Sequence, residues 1–316
     1  MEGLFANPLA NPIFIPLMTR MLVLFSAGFL ILLALKKGNY AALMGSNLGQ
    51  RYVGWLILFP IYVVGTFFGA LFGHIVLFAF MYLALAEIVR VSGLSRAYHV
   101  ALVVLSIYSL FIAALHPEYF FSLPLVYFIV LTLVAIRSND AEKGLQQAAV
   151  SLFVAIWIIF SMSHIDLLAH LNNHLDQTSS LVFLVIFAVA LADIGGYIFG
   201  KTFEKLHFFD AYKIAPNLSP NKTYAGTLGY MIGAGIGIAF LYFAVGGYLA
   251  PPLWVVVAVL IGLFAPVGGM THSLFKRFYG VKDSGSLIPG HGGILDRVDS
   301  MVRVVVILYY FFRLFL

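Results

Sequence analysis

Lys276, Arg277 and Lys282 place three cations within seven residues, and a Pro289-Gly290-His291-Gly292-Gly293 turn follows them. Two aspartates, Asp296 and Asp299, come next. Cations at that density can hold two or three phosphate groups. A backbone rich in glycine can approach a ligand closely and aim several N–H groups at an anion. A helix is predicted to begin just after the turn, so that Asp296 and Asp299, at i and i+3, share one face. Two carboxylates beside a run of cations suit a divalent metal that bridges to phosphates. The plainer alternative is a juxtamembrane loop with two snorkelling ion pairs. Such a loop needs neither a Gly-Gly turn nor two aspartates against the start of a hydrophobic helix.

A second polar region lies upstream. Asp193 sits inside an apolar helical pattern, where a carboxylate is expensive unless it serves a site or a partner. Ser219-Pro220-Asn221-Lys222-Thr223 offers two hydroxyls and an ammonium just before the next helix, a good place for phosphate. Helix capping alone would account for Ser219 and Thr223, but not for Asp193 or Lys222.

The elements that must position these groups are membrane helices. The 316 residues are 62% hydrophobic and only 10% charged, and the apolar stretches do not alternate as barrel strands would. The fold class read from this is an all-α polytopic integral membrane protein with about nine or ten transmembrane helices. Ten apolar segments stand near 20–35, 52–71, 74–89, 98–115, 120–136, 146–162, 181–199, 227–245, 253–269 and 301–316. The run from Tyr52 to Val89 would extend ~57 Å as one helix, about twice a bilayer core, so it must be two, with a turn expected at Gly73-His74. Residues 1–180 are read as N-terminal transmembrane helices and 181–316 as the region that carries the motifs, within a single membrane domain overall. Residues 1–19, broken by Pro8, Pro12 and Pro16, read as an interfacial or re-entrant lead-in, and the first apolar segment as an anchor rather than a cleavable signal.

Several functions are excluded or disfavoured. With no cysteine there is no disulfide, thiolate nucleophile or Cys-ligated metal. No Walker A sequence is present. The net charge of +5 comes from lysines and arginines scattered between spans, so no nucleic-acid partner is expected. Gly229, Gly233 and Gly237 recur every four residues, the device for close helix packing in membranes. Asp166, His170 and His174 at i, i+4 and i+8 would suit zinc on a helix, but they lie away from both motif regions. Glu87 and Arg90, three apart, read as an end-of-helix pair.

The stretch from Ser273 to Asp299 resembles the signature of the phosphatidate cytidylyltransferases, the CDP-diacylglycerol synthases. Their pattern runs Ser-x-x-Lys-Arg, four residues, Lys-Asp-x-Gly/Ser, then Leu-x-Pro-Gly-His-Gly-Gly-x-x-Asp-Arg-x-Asp. It is met by Ser273, Lys276, Arg277, Lys282, Asp283, Gly285, Leu287, Pro289, Gly290, His291, Gly292, Gly293, Asp296, Arg297 and Asp299. Upstream, Asp193 to Gly200 and Ser219 to Thr223 are similar to the family's Asp-x-x-Ala/Gly-Tyr-x-x-Gly and Ser-Pro-x-Lys-Thr. The resemblance covers about residues 190–300; the N-terminal half shares only its hydrophobicity.

The resemblance implies transfer of CMP from CTP to phosphatidate, giving CDP-diacylglycerol and pyrophosphate in phospholipid biosynthesis. It implies Mg²⁺ or another divalent cation on Asp296 and Asp299, and catalytic roles for Lys276, Lys282, Asp283, His291 and Arg297. Asp193, Ser219, Lys222, Thr223, Ser273, Arg277, Gly292 and Gly293 would bind substrate. The partners are CTP, phosphatidate or a related anionic lipid, and the bilayer, with a homodimer left open. The expected place is the bacterial inner membrane. Two acidic positions of the family are missing: Tyr224-Ala225-Gly226 stands where Trp/Leu-Glu-Gly is usual, and Gly268-Gly269 where Gly-Asp precedes the serine. His272 also replaces a commonly acidic residue. Three readings follow: an active enzyme whose metal uses other oxygens, a CTP-dependent transferase or kinase on another lipid such as an isoprenoid, or a non-catalytic relative that binds CTP or lipid.

The loops after the odd-numbered segments hold sixteen of the eighteen lysines and arginines, leaving only Arg20 and Arg313 on the other side. The positive-inside rule puts those loops, and both motif regions, in the cytoplasm. Cysteines introduced at Lys37, Arg96, Lys143, Lys213 and Lys282 should therefore label only after the membrane is permeabilised. Labelling of position 213 or 282 from outside intact cells would reverse the orientation.

Overall fold

The computed structural model describes residues 4–171, 175–205, 213–285 and 292–316. Its helices are α1 (Phe14–Leu35), α2 (Tyr40–Met44), α3 (Asn47–Phe67), α4 (Ala70–Ser92), α5 (Arg96–Leu115), α6 (Leu123–Ser138), α7 (Ala141–Val154), α8 (Ser161–Ala169), α9 (Leu175–Lys205), α10 (Tyr224–Val245), α11 (Pro251–Phe278) and α12 (Leu295–Phe315). Each of the ten apolar segments falls mainly on helix, the second running on through the turn that ends α3. Among the described residues, eight helical stretches are long and apolar enough to cross a membrane. The other two segments are α3 and α12, each 21 residues long; α12 carries Asp296, Arg297, Asp299, Arg303 and Arg313. The chain is thus all-α and polytopic. The strands among the described residues are one short antiparallel hairpin, β1 (Lys213–Ala215) with β2 (Ser219–Thr223).

Boundaries moved where a local interaction outweighed hydropathy. The turn expected at Gly73-His74 lies instead at Phe68-Gly69, where Gly69 has φ +104 and a Cβ would fall 2.6 Å from the Leu4 carbonyl oxygen. The amide of Ala6 donates to the Phe68 carbonyl (3.0 Å) and that of Leu71 to the Leu4 carbonyl (3.1 Å), so the N-terminal segment pins the turn there. α1 begins at Phe14, with Pro16 in its first turn, where a proline costs no intrahelical hydrogen bond. α12 begins at Leu295, just after the Gly-Gly turn as expected, so Arg297 and Arg303, counted with the loop charges, are on the helix.

α7 and α8 form one span, joined by a π-helical turn over Ala155–Phe160. That turn buries Trp157, whose ring packs 6.0 Å from His272 and 5.8 Å from Phe275 of α11. A widened turn of this kind re-aims side chains without ending the helix.

Close backbone approach assembles the C-terminal helices. The glycine repeat of α10 faces α9: side chains at Gly229 and Gly233 would overlap Gly195 and Leu191, and a Cβ at Gly237 would lie 2.9 Å from Ala188 Cα. Without a hydrophobic force between helices in lipid, such contact supplies the dispersion energy that holds them. Gly233→Ile should cost about 1–3 kcal/mol through overpacking and lower the thermal unfolding midpoint in detergent. Gly235→Ala should leave the midpoint near wild type, since its Cβ would meet only Ala258 Cβ at 4.0 Å.

Candidate active site

Four helices meet at the polar residues. The last turn of α11 carries Lys276 and Arg277, and the first turn of α12 carries Asp296. Cations at a helix C-terminus and an acid at a helix N-terminus both complement the helix dipoles. Lys276 Nζ donates to Asp296 Oδ1 at 3.0 Å, with both side chains largely buried. Asp296 Oδ2 accepts from the Gly293 amide at 3.1 Å and from Ser284 Oγ at 3.4 Å. Gly292 makes this approach in the left-handed region (φ +81), which a side chain would strain.

One turn further on, Asp299 Oδ2 lies 3.4 Å from His272 Nδ1, and the same nitrogen lies 3.4 Å from Asp296 Oδ1. His272, fully buried against Trp157, therefore bridges the two aspartates. Asp299 Oδ1 accepts the Ser300 amide at 2.7 Å. Ser300 Oγ donates to Asp193 Oδ1 at 2.9 Å, which joins α9 to the group. Lys222 donates to the Tyr230 hydroxyl and acts electrostatically on both Asp193 and Asp299. The expectation that Asp296 and Asp299 share one face is met, and Asp193 and Lys222 come to the same place although they belong to the other motif region.

Not every expected residue joins them. Lys282 and Asp283 are exposed, and neither makes a hydrogen bond or ion pair among the described residues. Arg277 is exposed, with Nη1 3.5 Å from the Val281 carbonyl oxygen. Thr223 caps α10, accepting the Gly226 amide at 3.0 Å, and Ser219 starts β2. Ser273 is half-buried on α11. His291, with Leu287, Pro289 and Gly290, lies outside the described residues. Arg297 is half-buried, its Nε has no partner, and it makes no hydrogen bond or ion pair among the described residues. A buried guanidinium donor left open in this way suits an anion.

The Gly-Gly turn does more than leave room for a ligand. Glu87 of α4 accepts the Ile294 amide on Oε1 at 2.8 Å and the Leu295 amide on Oε2 at 3.1 Å. The first amides of α12 are thus already taken by a protein carboxylate. Arg90 is not paired with Glu87: its Nη2 donates to the Ser284 carbonyl. The end-of-helix pair expected from their spacing is replaced by two long-range contacts with the motif stretch. The available signal was Glu87 itself, the one charge in the apolar run before Val89.

The other polar cluster is separate. His74 Nε2 lies 2.9 Å from Asp166 Oδ1, and His170 Nδ1 lies 3.6 Å from the same oxygen. His174 is outside the described residues, and no group of three ligating side chains disposed to hold a metal occurs among the described ones.

Two adjacent glycines of α11 differ sharply. A side chain at Gly268 would overlap the Asp299 carbonyl, whereas a Cβ at Gly269 would sit 3.6 Å from both Asp299 Oδ2 and Lys222 Nζ. Gly269→Asp should therefore fold with a midpoint near wild type, its carboxylate facing Lys222. Gly268→Asp should unfold or fail to insert. Equal thermal stability of the two variants would show that α11 and α12 are not packed this closely.

The cytidylyltransferase family model matches residues 49–315. A phosphatidate cytidylyltransferase of Synechocystis sp. is 42% identical over 154 residues, which is 47% of this chain and 48% of the relative. One of Brucella suis is 39% identical over 141 residues, 43% of this chain and 48% of the relative. The uncharacterized protein YnbB of Escherichia coli is 35% identical over 198 residues, 60% of this chain and 62% of its own length. The matches span between about half and three-fifths of these relatives. Since the family model takes in α3 to α12 as well as the polar junction, the chain belongs to the cytidylyltransferase family.

Proposed function

We propose that this chain transfers CMP from CTP to phosphatidate, releasing pyrophosphate and leaving CDP-diacylglycerol in the membrane. The observation that carries the reading is the junction of Asp296, Asp299, His272, Lys276 and Lys222 beside Arg297, whose Nε has no partner among the described residues, in a chain of this family. A phosphate monoester has its second pKa near ~6, so phosphatidate arrives ionised and needs no strong base. Its oxygen forms a bond to the α-phosphorus of CTP as the bond from that phosphorus to the pyrophosphate oxygen breaks. The difficulty is charge, and cations must hold two anions together.

On the family's pattern we assign a divalent ion, Mg²⁺ or a neighbour of it, to Asp296 and Asp299; as they stand, Lys276 and His272 occupy their oxygens, and no three ligating side chains among the described residues are disposed around a metal. Such an ion would supply charge neutralisation at the phosphates. Arg297 would grip a phosphate directly, and Lys282 and Arg277, exposed at the rim, would draw in the triphosphate. Lys276 and Lys222 would hold the aspartates in place and screen the incoming charge. Ser219, Thr223, Ser273, Asp283 and His291 are assigned to the surrounding substrate pocket on the family's pattern. The lipid would arrive laterally and CTP from the cytoplasm, with the protein in a bacterial inner membrane, in keeping with its bacterial relatives.

A second reading is favoured by Ala225 and Gly269, which lack the acids expected there, and by Lys276 already occupying Asp296. In it the chain binds CTP and an anionic lipid without turnover. Purified protein supplied with CTP labelled at the α-phosphate, phosphatidate and Mg²⁺ separates the two after lipid extraction. Label in CDP-diacylglycerol is expected. In that assay Asp296→Asn and Asp299→Asn should each lose about 10³-fold, near 4 kcal/mol of barrier, while staying folded. Gly269→Asp should lower the Mg²⁺ needed. CTP binding by calorimetry without labelled lipid would favour the second reading, and near-normal turnover in either asparagine variant would remove the metal assignment.

A further inference from the structure

Glu87 lies on α4, in the half of the chain that carries neither of the two polar motifs, yet it is bound to the motif stretch at every polar atom. It is 8% exposed. Its two carboxylate oxygens receive the amides of Ile294 and Leu295, and Ser284 Oγ approaches Oε2 at 3.4 Å. Gly285 and Gly293 flank it: a Cβ at Gly285 would fall 2.5 Å from Oε1, and one at Gly293 would overlap the carboxylate. No lysine or arginine forms an ion pair with it among the described residues, since Arg90 is engaged with the Ser284 carbonyl. Its compensation is therefore the amides and the positive end of α12.

The same short segment sets Asp296. Gly293 donates to Asp296 Oδ2, and Ser284 touches Asp296 Oδ2 as well as Glu87 Oε2, each at 3.4 Å. We infer that Glu87 is a positioning residue, which by capping α12 and gripping Gly285 and Gly293 holds the Asp296 carboxylate in register with His272 and Lys276. The inference rests on the reading of Asp296 as a divalent-ion ligand. It has a corollary for substrate binding: the amides of Ile294 and Leu295 are closed to phosphate, so anion binding falls to the side-chain cations.

Glu87→Gln tests this in the full chain reconstituted in lipid. The amide keeps the shape but turns a donor toward one of the two N–H groups and removes the charge. Hydrogen exchange of peptides covering 293–297 should quicken by about tenfold or more, with α9, α10 and α11 unchanged. Mn²⁺ binding, followed by electron paramagnetic resonance, should weaken about tenfold, the usual scale for an outer-shell partner. CTP-dependent turnover should need correspondingly more Mg²⁺ and recover when Mg²⁺ is raised. Glu87→Asp, too short to reach both amides, should fall between wild type and Glu87→Gln, and it carries the test if Glu87→Gln does not fold. Unchanged exchange at 293–297 overturns the inference. So does loosening throughout the chain with turnover lost equally at every Mg²⁺ concentration, since that is damage to the fold. Wild type that makes no CDP-lipid but binds Mn²⁺ more tightly than Glu87→Gln would sink the proposed activity and leave this inference standing. Wild type that is active, with Mn²⁺ affinity equal in Glu87→Gln, would do the reverse. Failure of wild type to bind Mn²⁺ at all removes both.

Discussion

Charge compensation at the junction of α9, α10, α11 and α12 is the constraint on which the C-terminal half depends. Asp193, Asp296 and Asp299 sit where helices are buried against one another, and isolated ions there would be costly. Lys276 on Asp296, His272 between Asp296 and Asp299, Ser300 on Asp193, and Lys222 near Asp193 and Asp299 answer that cost. None of these partners lies on the helix of the acid it serves: Lys276 and His272 are on α11, Ser300 is on α12 and Lys222 is on β2. The four helices must therefore come close, and glycines at 195, 229, 233 and 268 are what let their backbones do so. Close packing and polar pairing are two sides of one requirement.

The N-terminal half contributes structure to the same place. Trp157, set by the π-helical turn, backs His272, while Glu87 and Arg90 of α4 hold the segments on either side of residues 286–291. A helix N-terminus of this kind is often a phosphate site. Here it is filled by a carboxylate, which spends its amides on alignment of α12 and leaves Arg297 with an open donor beside it. On the proposed function, phosphate recognition would fall to the side-chain cations, and these backbone amides would serve geometry.

The departures from the family's acidic pattern acquire a physical shape. Gly269 faces Asp299 and Lys222 across a gap that a carboxylate could enter, so the missing acid corresponds to real space. His272 occupies the neighbouring position and touches both aspartates, whereas Asp283 is exposed.

Composition and periodicity alone determined that the chain is a helical membrane protein, because twenty-residue apolar runs admit few other solutions in lipid. The spacing of Asp296 and Asp299 likewise determined a shared face, since helical geometry is local, and the four-residue glycine repeat foretold a close helix contact, though not that α9 makes it. What only the tertiary structure decided involves partners far apart in sequence. Asp193 met Ser300, His272 met both aspartates, and His74 met Asp166. Glu87 looked like the neighbour of Arg90 because an i, i+3 spacing suggests a local pair. It turned instead to two amides more than two hundred residues away, at separations of 207 and 208. A buried carboxylate goes to the strongest unpaired donors within reach, and at the end of a helix those are backbone N–H groups that no side-chain pattern in the sequence displays.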